Sequence, residues 1–211
     1  MPNPSRRLTP RFGLLSLLGI TTLVAVLLGV WSVAVRPYAD QARAIDSLRR
    51  AGAELTVEAA TGPGWERVLI QTSLGADAYC TVVSLSWRNA DLPDDFRFLL
   101  SSLKGLKGID LDRSSFNDQH ALALSQLTDL QAVFVRYTKL TDEGAATIAK
   151  LPKLQAAFLT GNRVGDQGLQ AFIGAPALKE LYARWIDATP EAVAAFRTAR
   201  PDCELHTHVL P

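Results

Sequence analysis

Near the end of the chain three polar side chains alternate, Glu204, His206 and His208. In an extended segment such residues share one face, and a carboxylate beside two imidazoles is a donor set that can hold a divalent metal. A solvated terminal strand is the plainer reading of the same residues. Elsewhere the marks of catalysis are missing: there is no GxSxG, no GK(S/T), no HExxH and no CxxC. A second chemistry, recognition, is better supplied. Phe134, Phe158 and Tyr182 recur at one constant interval, with Arg136 and Arg184 two positions after the first and the last, and with Tyr137 and Trp185 one further on. Aromatic rings and arginines of this kind anchor protein interfaces. The expectation is a protein without catalytic residues or cofactor, whose working surface is Phe134, Arg136, Tyr137, Phe158, Tyr182, Arg184 and Trp185.

The spacing of those residues belongs to the whole segment that carries them. From Leu103 to Thr198 the chain writes one pattern four times without a gap, as Leu103–Gln126, Leu127–Lys150, Leu151–Gly174 and Ala175–Thr198. Such a period predicts units that bury their apolar faces against their neighbours. Position four is always Leu: Leu106, Leu130, Leu154, Leu178. Position seven is Ile109, Val133, Ala157 and Leu181, and position nine is Leu111, Val135, Leu159 and Ala183. Positions two apart point the same way in a strand, so seven and nine face a core while six, eight and ten face away. After an apolar fourteenth position come Asn117, Thr141, Gly165 and Thr189, residue types that cap helices. Asp118, Asp142, Asp166 and Pro190 then suit a first helical turn. Inward helical positions follow three apart: Ala121 and Leu124, Ala145 and Ile148, Leu169 and Phe172, Val193 and Phe196. Each unit should read strand, bend, cap, helix.

The pattern LxxLxxLxLxxTxLTDEGxxxIAK resembles the leucine-rich repeats of the ribonuclease-inhibitor-like and cysteine-containing subfamilies, in their membrane-anchored bacterial form. The D(Q/E)G element at Asp142–Gly144 and Asp166–Gly168 carries much of the likeness. The resemblance implies an α/β right-handed solenoid with short parallel strands on the concave side and helices on the convex side. A degenerate first copy precedes the four, with Val82, Leu85, Trp87, Leu92 and Asp94 each one full period ahead of its counterpart, so that five repeats span residues 79–198. Position twelve departs from the family: Ala90, Ser114, Thr138, Asn162 and Ile186 stand where Asn or Cys is usual. Polar residues there should bond loop backbone, and the end repeats should be looser. Cys80 and Cys203, at opposite ends of the stack, are out of disulfide reach and should be buried apolar fillers.

Ahead of the repeats lies a different composition. Residues 1–11 form a basic tail with Arg6, Arg7 and Arg11, and from Phe12 to Val35 the chain carries no charge. At helical rise this run reaches about 36 Å, more than the roughly 30 Å hydrocarbon core. One transmembrane helix over residues 12–35 is expected. A cleaved signal peptide is the competing reading; its apolar region is usually ~7 to 15 residues. Trp31 and Tyr38 stand where an aromatic belt would lie. The charges after the helix, Arg36, Arg43, Arg49 and Arg50, nearly balance those before it. The short basic tail favours a cytoplasmic N-terminus, with the repeats outside the cytoplasmic membrane. Without residues 1–36, which hold four arginines and no acid, 18 basic residues face 21 acidic ones, a net charge of minus three. No basic stripe is left for nucleic acid.

Residues 36–78 should cap the first repeat. They read as a helix around Ala39–Ala51 carrying Ile45 and Leu48, a strand ELTVEA with Leu55, Val57 and Ala59 on one face, a GPGW turn and a short helix through Val68, Leu69 and Leu74. Residues 199–211 should close the far end with a strand that puts Cys203, Leu205, Thr207 and Val209 together. The function so implied is a membrane-tethered module that binds a protein or peptide on its concave face. A metal-dependent enzyme using Glu204, His206 and His208, or a purely structural envelope protein, are the alternatives.

Overall fold

The computed structural model describes residues 13–75, 78–103 and 105–208, with the side chains of Leu14 and Leu15 left out. The basic tail, Phe12 and Val209 lie outside the described residues. The protein is α/β. Its seven strands form one sheet in sequence order: β1 (Glu54–Ala59), β2 (Cys80–Ser86), β3 (Gly108–Asp110), β4 (Ala132–Phe134), β5 (Ala156–Phe158), β6 (Glu180–Tyr182) and β7 (Glu204–His206). β1 is antiparallel to β2; every later pair is parallel and offset by one sequence period, as Phe134 on Phe158 and Phe158 on Tyr182. The sheet stays open at both ends.

Between successive parallel strands runs a short helix: α4 (Phe96–Ser101), α5 (Asp118–Leu124), α6 (Asp142–Ala149), α7 (Asp166–Ala171) with a 3-10 turn at Phe172–Gly174, and α8 (Pro190–Ala199). The apolar columns meet as expected. Ile109, Val133, Ala157 and Leu181 from the strands share one buried cluster with Ala121, Leu124, Ala145, Ile148, Leu169, Phe172, Val193 and Phe196 from the helix side. Positions six, eight and ten are left on the other face. The described structure thus consists of repeated strand–helix units over a common core.

The acids at the start of the helices do more than complement a helix dipole. Asp118 accepts the amide N–H of Thr141 (2.9 Å), its hydroxyl (2.7 Å) and the amide of Gly144 (3.0 Å), all in the next unit. Asp142 accepts from Gly165 N (2.6 Å), and Asp166 from Thr189 N (2.6 Å) and its hydroxyl (2.9 Å). Each carboxylate thereby satisfies donors at the following helix's N-terminus. The glycine of D(Q/E)G has the matching reason: a Cβ on Gly144 would sit 2.3 Å from Asp118 Oδ1 and 2.4 Å from Leu140 Cδ1. Position twelve bonds backbone where it is polar. Asn162, buried, donates to Val135 O (2.7 Å) and Leu159 O (2.8 Å) and accepts from Thr138 N (3.2 Å), Thr138 Oγ1 (2.9 Å) and Leu140 N (3.2 Å). At the last unit Ile186 fills the same place with apolar volume.

The N-terminal part departs from expectation in detail. The apolar helix α1 (Leu14–Val30) passes through one π turn (Trp31–Val35) into α2 (Arg36–Arg50) with no loop, so the helix read as Ala39–Ala51 begins at Arg36 and continues the apolar one. Pro37 sits at its start, where a missing amide donor costs least. Among the described residues one helix is long and apolar enough to cross a membrane, and it is mostly exposed, unlike the core helix of a soluble protein. In β1 only Leu55 is drawn inward; Val57 and Ala59 are exposed, although Val57 is paired with the buried Val82 across a bulge that inserts Val83 in β2. The GPGW segment is half helix: α3 runs Gly64–Leu74 with Pro63 as its cap, and its buried residue is Ile70, while Val68 faces out. Cys203 is buried but Cys80 only partly so, and no disulfide joins them.

Candidate functional site

The sheet face opposite the helices carries three lanes. Position six supplies Ser84, Gly108, Ala132, Ala156, Glu180 and Glu204; position eight supplies Ser86, Asp110, Phe134, Phe158, Tyr182 and His206. Strand register places every one of these beside its counterpart. The middle lane is a stack of four rings. Phe134 lies on Phe158 at 4.2 Å between centroids, Phe158 on Tyr182 at 4.4 Å, and Tyr182 on His206 at 4.1 Å, with interplanar angles of 11°, 11° and 13°. The spacing is a little under the ~4.8 Å between strands, as rings in van der Waals contact require. All four stay half-buried; Ala132 and Ala156 beside Phe134 and Phe158 leave those two rings' edges open, while Glu180 and Glu204 border Tyr182 and His206.

Charge sets the stack's other border. Arg136 Cζ lies 6.0 Å from the Phe134 centroid and 5.9 Å from that of Phe158. Its Nε donates to Asp112 Oδ2 at 2.7 Å, and its amide donates to Asp112 Oδ1 at 2.8 Å. The side-chain hydrogen bond holds the guanidinium above its ordinary pKa, against the opposing effect of partial burial. Arg88 pairs in the same way with the buried Asp110, Nε to Oδ2 at 2.6 Å. The alternation of Arg88, Asp112 and Arg136 in sequence therefore resolves into two pairs, Arg88 with Asp110 and Arg136 with Asp112. Arg184 differs: it is exposed and has no ion-pair partner among the described residues.

A second, looser row rises where each strand ends. Asn89, Arg113, Tyr137, Gly161 and Trp185, one per unit at the same position, all have positive φ, from 50° to 74°. For Arg, Tyr and Trp that conformation costs about 1–2 kcal/mol, borne by the surrounding packing. It swings their side chains along the stack. Tyr137 leans over Gly161, where a Cβ would lie 2.4 Å from its Cδ1, and so reaches Trp185 two units away at 6.3 Å. Arg113 Cζ stands 5.6 Å from the Tyr137 ring, and Trp185 is 6.5 Å from His208. Tyr137 and Trp185 are 45% and 57% exposed, enough to meet another molecule.

All seven residues singled out from sequence thus lie on this face. Phe134, Phe158 and Tyr182 form the stack with Arg136 beside it, Tyr137 and Trp185 form the outer row, and Arg184 stands free. His206 was missed as the fourth ring; its position one period after Tyr182 was the available signal. Gly161 and Arg113 were missed too; of this left-handed column only Asn89 and Gly161 carry the signal in their residue type, and Arg113 carries none. The Glu204, His206 and His208 set does not gather. His206 lies in the stack with Nε2 3.2 Å from Glu204 Oε1, while His208 Nδ1 accepts the Trp185 amide at 2.7 Å. Among the described residues no group of three His, Cys, Asp or Glu side chains is placed to hold a metal. Burial pushes the Cys203 thiol's pKa up, which keeps it in the weakly nucleophilic protonated form at neutral pH.

The geometry defines a shelf rather than a cleft: flat rings, small residues beside Phe134 and Phe158, and exposed arginines, Arg113 and Arg184, at the outer edge. Compared with known proteins, the chain matches no family model and no curated protein.

Proposed function

We propose that this protein is a membrane-tethered, non-catalytic binding module built from leucine-rich repeats, and that its ring-bearing sheet face receives a protein or peptide segment. The observation that carries the reading is the unbroken stack Phe134–Phe158–Tyr182–His206 beside exposed Tyr137, Trp185 and unpaired Arg184. Stacking alone needs no partner, since cross-strand aromatic pairs stabilise a sheet. The outer row is what a self-sufficient stack would not require: it keeps bulky residues in a costly backbone conformation and exposes them. Rigid, half-exposed aromatics with an arginine at the edge are the makings of an interface hot spot. The lane at Gly108, Ala132 and Ala156 gives an extended segment room to approach the backbone.

The leucine-rich-repeat reading is supported by the constant one-period register of every parallel strand pair and by the Asp118–Gly144 and Asp142–Gly165 clamps between units. The tether rests on the apolar helix running into α2, and the short basic tail favours an N-terminus inside with the sheet outside the cytoplasmic membrane. The test is co-purification of the full-length, C-terminally tagged chain after mild cross-linking in intact cells. A partner recovered with the wild type should be lost from the Arg184→Ala, Trp185→Ala double variant and from Phe134→Ala, Phe158→Ala. Undiminished recovery with both variants, each shown to be folded, would refute the assignment of this face.

A further inference from the structure

The apolar run and the globular part overlap, and the overlap has a partner. Ala34 and Val35, the last two residues of the uncharged stretch, are buried, at 7% and 1% exposure, and α3 packs on the π turn that contains them. A hydrocarbon core of roughly 30 Å takes up about 20 helical residues, so the end of this run lies at a membrane surface whenever the helix spans. A helix seated there occupies the headgroup layer.

α3 has a sequence for that place. Ile70 is buried and Leu74 half-buried, and with Tyr79 and Ala60 they anchor one side of the helix to the globular part. On the opposite side Trp65, Val68, Leu69 and Thr72 fall at intervals of three and four, one stripe of a 3.6-residue period. Trp65 is 61% and Val68 64% exposed. The helix is therefore apolar on two faces, one covered and one bare, and it packs on the π turn whose Trp31 and Val33 are themselves 48% and 79% exposed. We propose that α3 is an interfacial helix that inserts Trp65, Val68 and Leu69 into the lipid headgroup boundary and so fixes how the sheet stands over the membrane. The occupant is the bilayer that the helix α1 enters, because α3 is packed on the π turn at the end of that apolar run, where the span leaves the membrane. This inference rests on the tether reading of α1.

The experiment uses the full chain with Cys80→Ala and Cys203→Ala, reconstituted into vesicles of phosphatidylcholine and phosphatidylglycerol. A nitroxide is attached in turn at Val68→Cys and Thr72→Cys on the stripe, at Leu23→Cys in α1, and at Gln170→Cys on α7. Collision with oxygen, which favours lipid, is compared with collision with a water-soluble nickel chelate. The inference expects lipid-type accessibility at residues 68 and 72, intermediate between that at residue 23 and the aqueous value at residue 170. Aqueous values at residues 68 and 72 with lipid values at residue 23 would overturn it and leave the tether standing. Shielding from both reagents at residues 68 and 72 would also overturn it, in favour of a protein neighbour or a second copy. Aqueous values at residue 23 would remove the tether and the inference together.

Discussion

Asp118 holds three donors of the next unit, and Gly144 is the residue that lets one of them come close. Each hydrogen bond to a charged acceptor contributes about 1.5–3 kcal/mol, and the three share one carboxylate. Asp118→Ala should therefore lower unfolding free energy by roughly 3 kcal/mol in denaturant titrations followed by circular dichroism. Asp118→Asn should cost clearly less. Gly144→Ala, which forces a methyl onto Asp118 and Leu140, should cost about 1–3 kcal/mol. A neutral result for Gly144→Ala would mean that the units slide apart freely, contrary to the close approach seen here. His120 offers a pH test. Its ring packs between Phe96 and Phe116, and burial lowers its pKa below the ordinary 6.5. The unfolded chain then binds this proton more readily than the folded one. Its neutral state should therefore stabilise the fold above pH 6.5, and that contribution should fade as pH drops below 6.5 toward the folded value. Unfolding free energies measured between neutral and mildly acid pH should fall for wild type and fall less for His120→Gln. The helix caps could be read in the sequence from residue type and spacing. The carboxylate clamps could not, since position alone shows an acid in a first turn and not which unit's donors it meets.

At the scale of elements, strands and helices were legible because two short periods, that of a strand and that of a helix, sit inside the longer one that carries Leu106 to Leu130, Leu154 and Leu178. Where that outer repeat is lacking, in residues 36–78, the reading slipped. β1 is an edge strand whose Val57 and Ala59 stay exposed, and the bulge beside it, at Val83 of β2, is not announced by residue type. The helix from α1 into α2 runs on past Pro37, which directly follows the π turn. The ring stack is an element in its own right, and its parts should couple. A double-mutant cycle on Phe158 and Tyr182 should give an interaction of about 0.5–1.5 kcal/mol. Additive losses would mean that the two rings touch without cooperating. Trp185→Ala, at an exposed position, should change stability by less than about 0.5 kcal/mol while it removes binding. That separation distinguishes the outer row from the stack.

For the molecule as a whole, an open sheet with its helices on one face leaves the other face uncovered; on the proposed reading that face binds and the long N-terminal helix tethers it. The sequence placed all seven candidate residues on this face, because the column rule maps spacing onto strand register directly. It left out His206, whose neighbours Glu204 and His208 drew it toward metal chemistry. On the proposed reading, a partner would approach a flat, partly aromatic surface edged by the exposed Arg113 and Arg184, which suits an extended segment bearing an acidic group. The most direct test replaces Trp185 with a photo-crosslinking amino acid in the full chain and irradiates intact cells, beside a second chain carrying the same group at Gln170 on the helix side. One discrete adduct from position 185 that is absent at position 170, and that disappears when Arg184→Ala is added, is the result this account predicts. Equal adducts from both positions, or none from position 185, would contradict it.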